Sequence, residues 1–468
     1  EAEEALELAN LRGRLPNSET EQSTIGAGLA YIKGPLSVGV SVSRFRTDYG
    51  VPTRPGAEHH HEEEAAGIGI LAEEEGHGEE AVSIRLRQNR YDLRGEYAVG
   101  GGFVNKIRGS VGYADYTHTE FEGAQVGTVF DSEGLEGRFE LVQANRDGWR
   151  GASGLQYFQR KFDAVGAEAF LRANDTTQWG LFTLQEYSLG KLGFEAAARL
   201  ERSEIESQAF RLTRDFNAFS GALGVHYDVL SGGRIGLNLS RTTRAPSAEE
   251  LFSDGPHIAT SAYEIGNPDL RTEKALGAEL FFRFYRPGFR FNAAAYVNRF
   301  DDFIYEGATG EEEDELPVFR YLQRDATHRG FEIEASAKLF EVRGVSVVVD
   351  GVADYVRATL KGGGPVPRIP PLRLLGGIEL EANRFDARTE VEWVGEQDRV
   401  AAFETPTSGH TLVNAMLTWH PLGRRNETAV TLSANNIFDV DARRHASFTK
   451  DFVPLAGRDI RLSASFGF

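Results

Sequence analysis

Apolar and polar residues alternate along most of the chain, and the pattern is clearest in residues 457–468. There, every second position is apolar, and the positions between are polar or glycine; the apolar residues are Ile460, Leu462, Ala464, Phe466 and Phe468. A period of two predicts a β-strand with one apolar face. The same alternation recurs in residues 82–87, 235–240, 289–298, 331–337 and 430–434. No helical period of comparable length is present, so the chain is predicted to be all-β.

The connections between the predicted strands alternate in length. The short ones are residues 34–35, 99–102, 190–191, 230–233, 286–288, 339–344 and 422–426. The long ones are residues 47–80, 242–270, 306–317, 360–371, 397–409 and 438–456. Short turns at one end and long loops at the other are typical of an antiparallel transmembrane β-barrel whose apolar strand faces meet lipid. On that lipid face we expect Ile460, Leu462, Phe466, Phe289 and Phe291.

The four tryptophans fit the same architecture. Trp149 and Trp419 lie beside short turns, whereas Trp179 and Trp393 lie near long loops. Aromatic residues form girdles at both interfaces of a membrane barrel. A soluble β-sandwich, the main alternative for alternating strands, would not sort its tryptophans by the type of connection.

The strand count predicts an incomplete barrel. We count about nineteen strands, and both the first and the last run toward the short-turn side. Single-chain bacterial barrels use even numbers of strands. The chain is therefore predicted to lack an odd number of N-terminal strands. The first strand, residues 24–33, should either keep one unpaired edge or pair with residues 457–468 in a smaller closed barrel, and we favour closure.

Composition narrows the function classes. The 468 residues contain no cysteine, which excludes disulfides and thiolate chemistry. The net charge of −19 argues against a nucleic-acid partner. The sequence has no G-x-S-x-G, H-E-x-x-H or G-x-x-x-x-G-K-[ST] motif. The chain is therefore predicted not to be an enzyme, and no resident cofactor is expected.

Several segments occur in an order that resembles TonB-dependent outer-membrane receptors. They are RAPSAEELF at 244–252, NPDL at 267–270, AAYVNRFDDFIY at 294–305, RIPP at 368–371, NNIFD at 435–439 and the closing aromatic strand. The resemblance covers essentially the whole chain. It implies a barrel of twenty-two strands with an N-terminal plug that carries the contact box for TonB. This chain shows neither plug nor box, so residues 1–468 are predicted to be one barrel domain that is incomplete at its N-terminus.

Residues 51–96 and 113–130 are similar to receptors of this class that take up zinc and related divalent metals. The resemblance implies import of a scarce nutrient, most strongly zinc or another divalent metal ion, by TonB-coupled transport in the intact protein. A receptor for a siderophore or another organic ligand is the alternative within the family. A soluble or membrane β-protein that acts as a binding module is the alternative outside it.

The predicted loop 47–80 is rich in histidine and glutamate. It holds our main candidate metal ligands: His59, His60, His61, Glu62, Glu63, Glu64 and His77. Imidazole and carboxylate together suit Zn²⁺ and its neighbours among the divalent metals. A solvated acidic loop is the competing interpretation. His257, near Asp254 and Glu249–Glu250, is a further candidate at the mouth, and His118 with Glu120 is a weaker one.

The resemblance also implies location and partners. The protein is expected in the outer membrane of a Gram-negative bacterium, in contact with outer-membrane lipid and lipopolysaccharide. The TonB complex is the expected partner of the intact protein, and a metal ion is the expected ligand.

Overall fold

The structure, a computed structural model, describes residues 17–52, 82–166, 169–257, 260, 262–313 and 316–467. These residues form twenty-one β-strands and one short α-helix, α1 (Ala248–Phe252). The strands are β1 (Thr20–Lys33), β2 (Leu36–Gly50), β3 (Val82–Ala98), β4 (Val104–Glu122), β5 (Gln125–Gln143), β6 (Trp149–Gly166), β7 (Asn174–Leu189), β8 (Leu192–Ser207), β9 (Leu212–Leu230), β10 (Gly233–Arg244), β11 (Asp254–His257), β12 (Ala262–Ile265), β13 (Glu273–Arg286), β14 (Phe289–Glu313), β15 (Leu316–Val342), β16 (Val345–Leu360), β17 (Arg373–Glu381), β18 (Phe385–Val394), β19 (His410–Trp419), β20 (Ala429–Asn435) and β21 (Asp459–Ser465). Within these residues, no helix is long and apolar enough to cross a membrane.

Nineteen of the described strands form one continuous antiparallel ladder, in which each strand pairs with its neighbour along the chain. The ladder runs from β1 to β10, passes directly to β13, and continues to β21. The short strands β11 and β12 form a hairpin inside the β10–β13 connection. The predicted all-β, antiparallel barrel class is confirmed, and the ladder contains the number of strands that was counted from the sequence.

One face of the ladder is apolar and exposed. Register carries this face from strand to strand: Leu29 lies opposite Val40, and Val40 lies opposite Leu93. At the other end of the chain, Ile460 and Leu462 are 67% and 74% exposed. Phe289 and Phe291 continue the same face through their partners on β15, and Phe466 is exposed just after β21. An apolar surface of this extent is unfavourable in water, so this is the lipid face.

The tryptophans lie at two heights on the outside, as expected. Trp149 begins β6 and Trp419 ends β19, both next to short turns. Trp179 and Trp393 lie toward the opposite ends of β7 and β18, near the long connections. All four side chains are exposed.

The two end strands of the ladder are not joined. Within the described residues, β1 pairs only with β2, and β21 pairs only with β20. The expectation that residues 24–33 close the barrel against residues 457–468 is therefore wrong; among the described residues, β1 and β21 each have one edge without a strand partner. Direction explains this result: both strands run toward the short turns, so closure would place one parallel pair in an otherwise antiparallel ladder.

Two of the expected long loops contain regular structure. Residues 306–317 were predicted to be a loop, but β14 runs to Glu313 and β15 starts at Leu316. The β10–β13 connection holds α1 and the β11–β12 hairpin. Ser247 caps α1 by accepting a hydrogen bond from the backbone N–H of Glu250, and the Glu250 carboxylate accepts one from the backbone N–H of Ser247. This reciprocal cap explains why a five-residue helix forms here.

The buried core lies at the loop end of the barrel. Its largest cluster packs α1 against the inner wall and the connections; its members are Leu171, Ile205, Phe216, Ala248, Leu251, Phe252, Leu270 and Ile304. Leu251 and Phe252 are almost completely buried. The connections at the barrel mouth therefore form a packed structure that can hold side chains in fixed positions.

Candidate functional site at the barrel mouth

The β14–β15 hairpin is longer than its neighbours and projects beyond the barrel wall. β13 pairs with β14 only as far as Asp301, and β16 pairs with β15 only from Ala326 onward. Beyond these points, residues 303–313 and 316–324 pair with each other. We call these residues the hairpin extension. Because β12 pairs in parallel with β15 at residues 318–320, the β11–β12 hairpin is attached to the extension.

His257 ends β11 and lies next to Glu264 of β12. Its Nδ1 is 2.7 Å from Oε1 of Glu264, and its ring stacks on Phe170 with centroids 4.2 Å apart. Glu264 is only 5% exposed. It also accepts a hydrogen bond from the hydroxyl of Tyr321 in the hairpin extension, at 3.4 Å. An imidazole and a carboxylate are thus held together inside the mouth.

Glu306, also in the hairpin extension, is a second buried carboxylate. Its Oε2 accepts a hydrogen bond from Arg368 at 2.9 Å, whereas its Oε1 has no hydrogen-bond partner in the described part of the chain. Burial raises the pKa of Glu306, the nearby Glu264 raises it further, and Arg368 opposes both. Burial and the same two carboxylates also raise the pKa of Tyr321, which therefore stays protonated and able to donate.

We call His257, Glu264, Glu306, Tyr321 and Arg368 the mouth cluster. It combines one imidazole, two buried carboxylates and a single guanidinium, so its chemistry favours a cation. Among the described residues, no three metal-ligating side chains are arranged to hold an ion. The His257–Glu264 pair could supply two ligands, and an ion bound there would need at least one more.

The acidic residues that were expected beside His257 have other partners. Glu249 pairs with Arg160 at 2.7 Å, and Glu250 pairs with Arg244 at 2.7 Å. Burial would raise the pKa of Glu249, but Arg160, together with hydrogen bonds from the backbone and from Ser247, lowers it overall. Asp254 is exposed. His257 is therefore paired with Glu264 and not with these neighbours in sequence, because α1 directs Glu249 and Glu250 toward arginines and the β11–β12 register supplies Glu264.

The remaining sequence candidates lie elsewhere. His59, His60, His61, Glu62, Glu63, Glu64 and His77 all fall in residues 53–81, outside the described residues. The residues that flank this segment are described: the backbone N–H of Val51 donates to the carbonyl of Val82 at 2.9 Å. Val82 packs with Leu316 of the hairpin extension, and Val51 and Tyr263 pack against that pair. The two described residues Val51 and Val82 therefore lie beside the hairpin extension.

His118 and Glu120 form a smaller pair on β4. His118 Nε2 lies 3.3 Å from Glu120 Oε1, and Glu120 is buried. The Phe130 ring lies 5.0 Å from the His118 ring and 6.2 Å from that of Phe170, which stacks on His257. An aromatic row thus separates this pair from the mouth cluster, and the two are distinct sites.

Arg368 also connects the mouth cluster to the later loops. Its backbone N–H donates to Glu404 at 2.8 Å, and its guanidinium lies 3.8 Å above the Phe448 ring. Glu404 in turn lies 3.1 Å from the ring of the buried His445. The connections after β16, β18 and β20 therefore meet at Arg368.

Sequence reasoning missed Glu264, Glu306, Tyr321 and Arg368. The alternation of residues 294–305 continues into Glu306, and Arg368 begins the RIPP segment, so both lay in or beside recognised motifs. Only the pairing of β12 with β15 shows that Glu264 and Tyr321 meet.

Comparison with known proteins agrees with this architecture. The family model described as TonB dependent receptor-like, beta-barrel, matches residues 29–437. Among solved structures, the chain is similar to the copper transporter OprC, with 15% identity and a TM-score of 0.78 over 97% of this chain and 73% of that one. It is also similar to the FrpB iron transporter from Neisseria meningitidis (F3-3 variant), with 12% identity and a TM-score of 0.74 over 96% and 72%. The siderophore receptor PiuA from Acinetobacter baumannii gives 12% identity and a TM-score of 0.71 over 97% and 75%.

At these identities the solved structures establish the shared fold, while the family model covers most of the chain. Its members are outer-membrane transport proteins and not enzymes, which confirms the prediction of a non-enzymatic protein. The chain belongs to the family of TonB-dependent receptor-like β-barrels.

Proposed function

We propose that this protein imports a scarce divalent metal ion, zinc foremost, across the outer membrane of a Gram-negative bacterium, driven by the TonB complex in the intact protein. The observation that carries the proposal is the pairing of His257 with the buried Glu264, near a carboxylate oxygen of Glu306 that has no hydrogen-bond partner among the described residues. Imidazole with carboxylate is a ligand set that suits Zn²⁺ and related ions. The ion is the cargo, and no resident cofactor is required.

The charge of the mouth favours a cation over an anionic chelate. Arg160, Arg244 and Arg368 each form an ion pair with a glutamate. A negatively charged siderophore would have to compete with these carboxylates for every one of these arginines. A bare cation would not face this competition, because one oxygen of Glu306 has no hydrogen-bond partner in the described part of the chain.

The composition of residues 53–81 supports capture of the metal ion outside the barrel. Its histidines and glutamates are the ligands predicted from the sequence, and its flanking residues Val51 and Val82 lie beside the hairpin extension. Dense negative charge raises the local concentration of cations, and histidine favours zinc over Ca²⁺ and Mg²⁺. We expect capture at micromolar affinity, about −8 kcal/mol, so that the ion can be released inward.

Titration calorimetry with zinc tests the site directly. The variants His257→Ala and Glu264→Gln should each lose one zinc-binding event or weaken it by about tenfold. His226→Ala is the matched control, because His226 lies in β9 close to the short turns at the opposite end of the barrel. Equal zinc binding by wild type, His257→Ala and Glu264→Gln would refute the metal site.

A siderophore or another organic ligand is the second candidate. A cleft of about 600 Å³ next to β11 favours it; Arg172, Gln208, Asp254 and Tyr263 are among the lining residues. This volume is within the range of small-molecule sites. Growth of a deletion strain complemented with the intact gene separates the candidates: rescue under zinc limitation supports metal import, and rescue by iron chelates alone supports the organic ligand.

A further inference from the structure

Four arginines lie together on the outer face of the barrel, at the loop ends of neighbouring strands. They are Arg299 of β14, Arg329 of β15, Arg357 of β16 and Arg399 of the β18–β19 connection, and we call them the arginine patch. Register places Arg329 directly opposite Arg357. Arg299 lies opposite Thr327, the next position of β15 on the same face.

Arg399 reaches the patch from its loop. Its guanidinium donates to the carbonyl of Ala358 at 2.7 Å and to the hydroxyl of Thr359 at 2.8 Å, which fixes it against β16. Burial lowers the pKa of Arg399, and the neighbouring guanidinium groups of Arg357 and Arg329 lower it further. Arg399, Arg357 and Arg329 therefore lie close enough to repel one another.

The arginine patch lies at the upper edge of the lipid face. Phe331 follows Arg329 by two residues on the same face, and it pairs with Tyr355 of β16 across rings 6.0 Å apart. Long loops of such barrels face the cell exterior. The patch is therefore at the level of the headgroups of the outer leaflet, with aromatic and apolar side chains directly beneath it.

The described carboxylates form no ion pairs with the patch. Within the described residues, none of its four arginines forms an ion pair with an aspartate or glutamate. Asp301, which follows Arg299 by two residues, is exposed and forms no ion pair in this part of the chain, whereas two other acids toward the loops have cationic partners. Asp325 pairs with Lys361 at 2.8 Å, and Asp302 pairs with Arg271. Two like charges directly opposite each other destabilise an antiparallel pair. On a chain of net charge −19, this uncompensated arrangement calls for an external anion.

We propose that the arginine patch binds the phosphate groups of a phosphorylated glycolipid of the outer leaflet. Guanidinium groups bind phosphate oxygens through paired hydrogen bonds, and the position beside Phe331 and Tyr355 lets the acyl chains of the same molecule contact the wall. A soluble anion would gain the charge interaction but not the apolar contact. The site is distinct from the mouth cluster, so it does not depend on which ligand is transported.

Native mass spectrometry of the full chain in detergent micelles tests the proposal. The probe is lipid A carrying two phosphates, and dephosphorylated lipid A and inorganic phosphate are the comparison ligands. Arg329→Gln with Arg357→Gln removes two exposed charges that make no protein ion pair in the described chain. Arg384→Gln with Arg425→Gln is the matched control, because these arginines are equally exposed but lie at the short-turn end.

Wild type and the control variant should bind phosphorylated lipid A with equal affinity. The Arg329/Arg357 variant should bind it with an affinity lower by a factor of about ten or more. Dephosphorylated lipid A should bind poorly, and inorganic phosphate should not compete at equal concentration. If the variant fails to fold, binding to wild type must still weaken as salt is raised. Equal binding by wild type and a folded variant, binding that ignores both phosphate and salt, or full competition by inorganic phosphate would overturn the proposal.

Discussion

Replacing Arg368 with glutamine should loosen the hairpin extension without unfolding the barrel. Arg368 donates to the buried Glu306 of the extension and lies over Phe448 of the β20–β21 connection. Glutamine keeps a non-glycine residue at a backbone φ of 57°, so the change adds no new backbone strain. It also keeps the backbone N–H that donates to Glu404. The loss is therefore confined to the guanidinium.

The structure sets the magnitude. Glu306 keeps only 6% of its side chain exposed, and Arg368 keeps 25%. Removing one partner of a buried ion pair costs about 3–5 kcal/mol, and the partial exposure of Arg368 places this pair at the lower limit. The contact with Phe448 adds less than about 1 kcal/mol. A local destabilisation of about 3 kcal/mol corresponds to opening that is about 150-fold more frequent.

Hydrogen exchange, followed by mass spectrometry at neutral pH in detergent micelles, measures this opening. Peptides from residues 303–313 and 316–324 should exchange faster in the variant, and peptides from β3–β9 should not change. Arg202→Gln is the matched control, because Arg202 pairs with Asp215 at 3.0 Å but both side chains are more than half exposed. Such a pair contributes less than about 1 kcal/mol. Unchanged exchange in the extension, or a uniform increase over the whole barrel, would refute the assigned role of Arg368.

Three further predictions concern pH, zinc and a turn. Burial raises the pKa of Glu306 above its ordinary 4.5. Its favourable contribution to the stability of the hairpin extension should therefore be complete below pH 4.5 and be lost as the pH rises through the raised pKa. Glu306→Gln should remove this part of the pH dependence of hydrogen exchange in the extension, after correction for intrinsic exchange rates. Replacing all four histidines of residues 53–81 with alanine should reduce zinc binding in calorimetry but leave barrel assembly intact on unheated gels; they are His59, His60, His61 and His77. Gly232→Ala should lower the yield of folded barrel, because at a φ of 87° the added Cβ would lie 1.9 Å from the carbonyl oxygen of Tyr285. The control Gly190→Ala, at a φ of 61° with no such neighbour, should destabilise the barrel by only about 1 kcal/mol. Equal yields of the two variants would contradict this explanation.

The barrel was predictable because its signal is local and repeated. Alternation places Ile460 and Leu462 on one face whatever their distant partners are, and each further strand adds the same information. Closure of the barrel was not predictable in this way. Whether β1 pairs with β21 depends on the direction and curvature of the whole ladder, and the sequence of neither strand indicates these.

The mouth cluster could not be predicted from local sequence, because its residues come from distant parts of the chain. His257 was found because histidine in a loop is conspicuous, but its partner Glu264 was not. The two residues meet because β11 and β12 pair with His257 opposite Ala262, two positions before Glu264. Tyr321 and Glu306 join them only because the β14–β15 hairpin continues as strands through residues that are rich in glutamate and were expected to form a loop. Tertiary pairing with β12 overrides that local preference.

The position of the mouth cluster bears on how an ion would pass from outside to inside. Val51 and Val82, which flank residues 53–81, pack beside Leu316 and Tyr263, and Tyr263 is followed directly by Glu264. Both described ends of that segment therefore lie near the strand that carries Glu264. For transfer to proceed, the inner site must bind at least as well as the outer one, and burial of both carboxylates strengthens their attraction for a cation. The same burial raises the pKa of Glu306, so a proton competes with the ion for its carboxylate. If the proposed zinc site exists, we therefore expect zinc binding at the mouth to weaken as the pH falls.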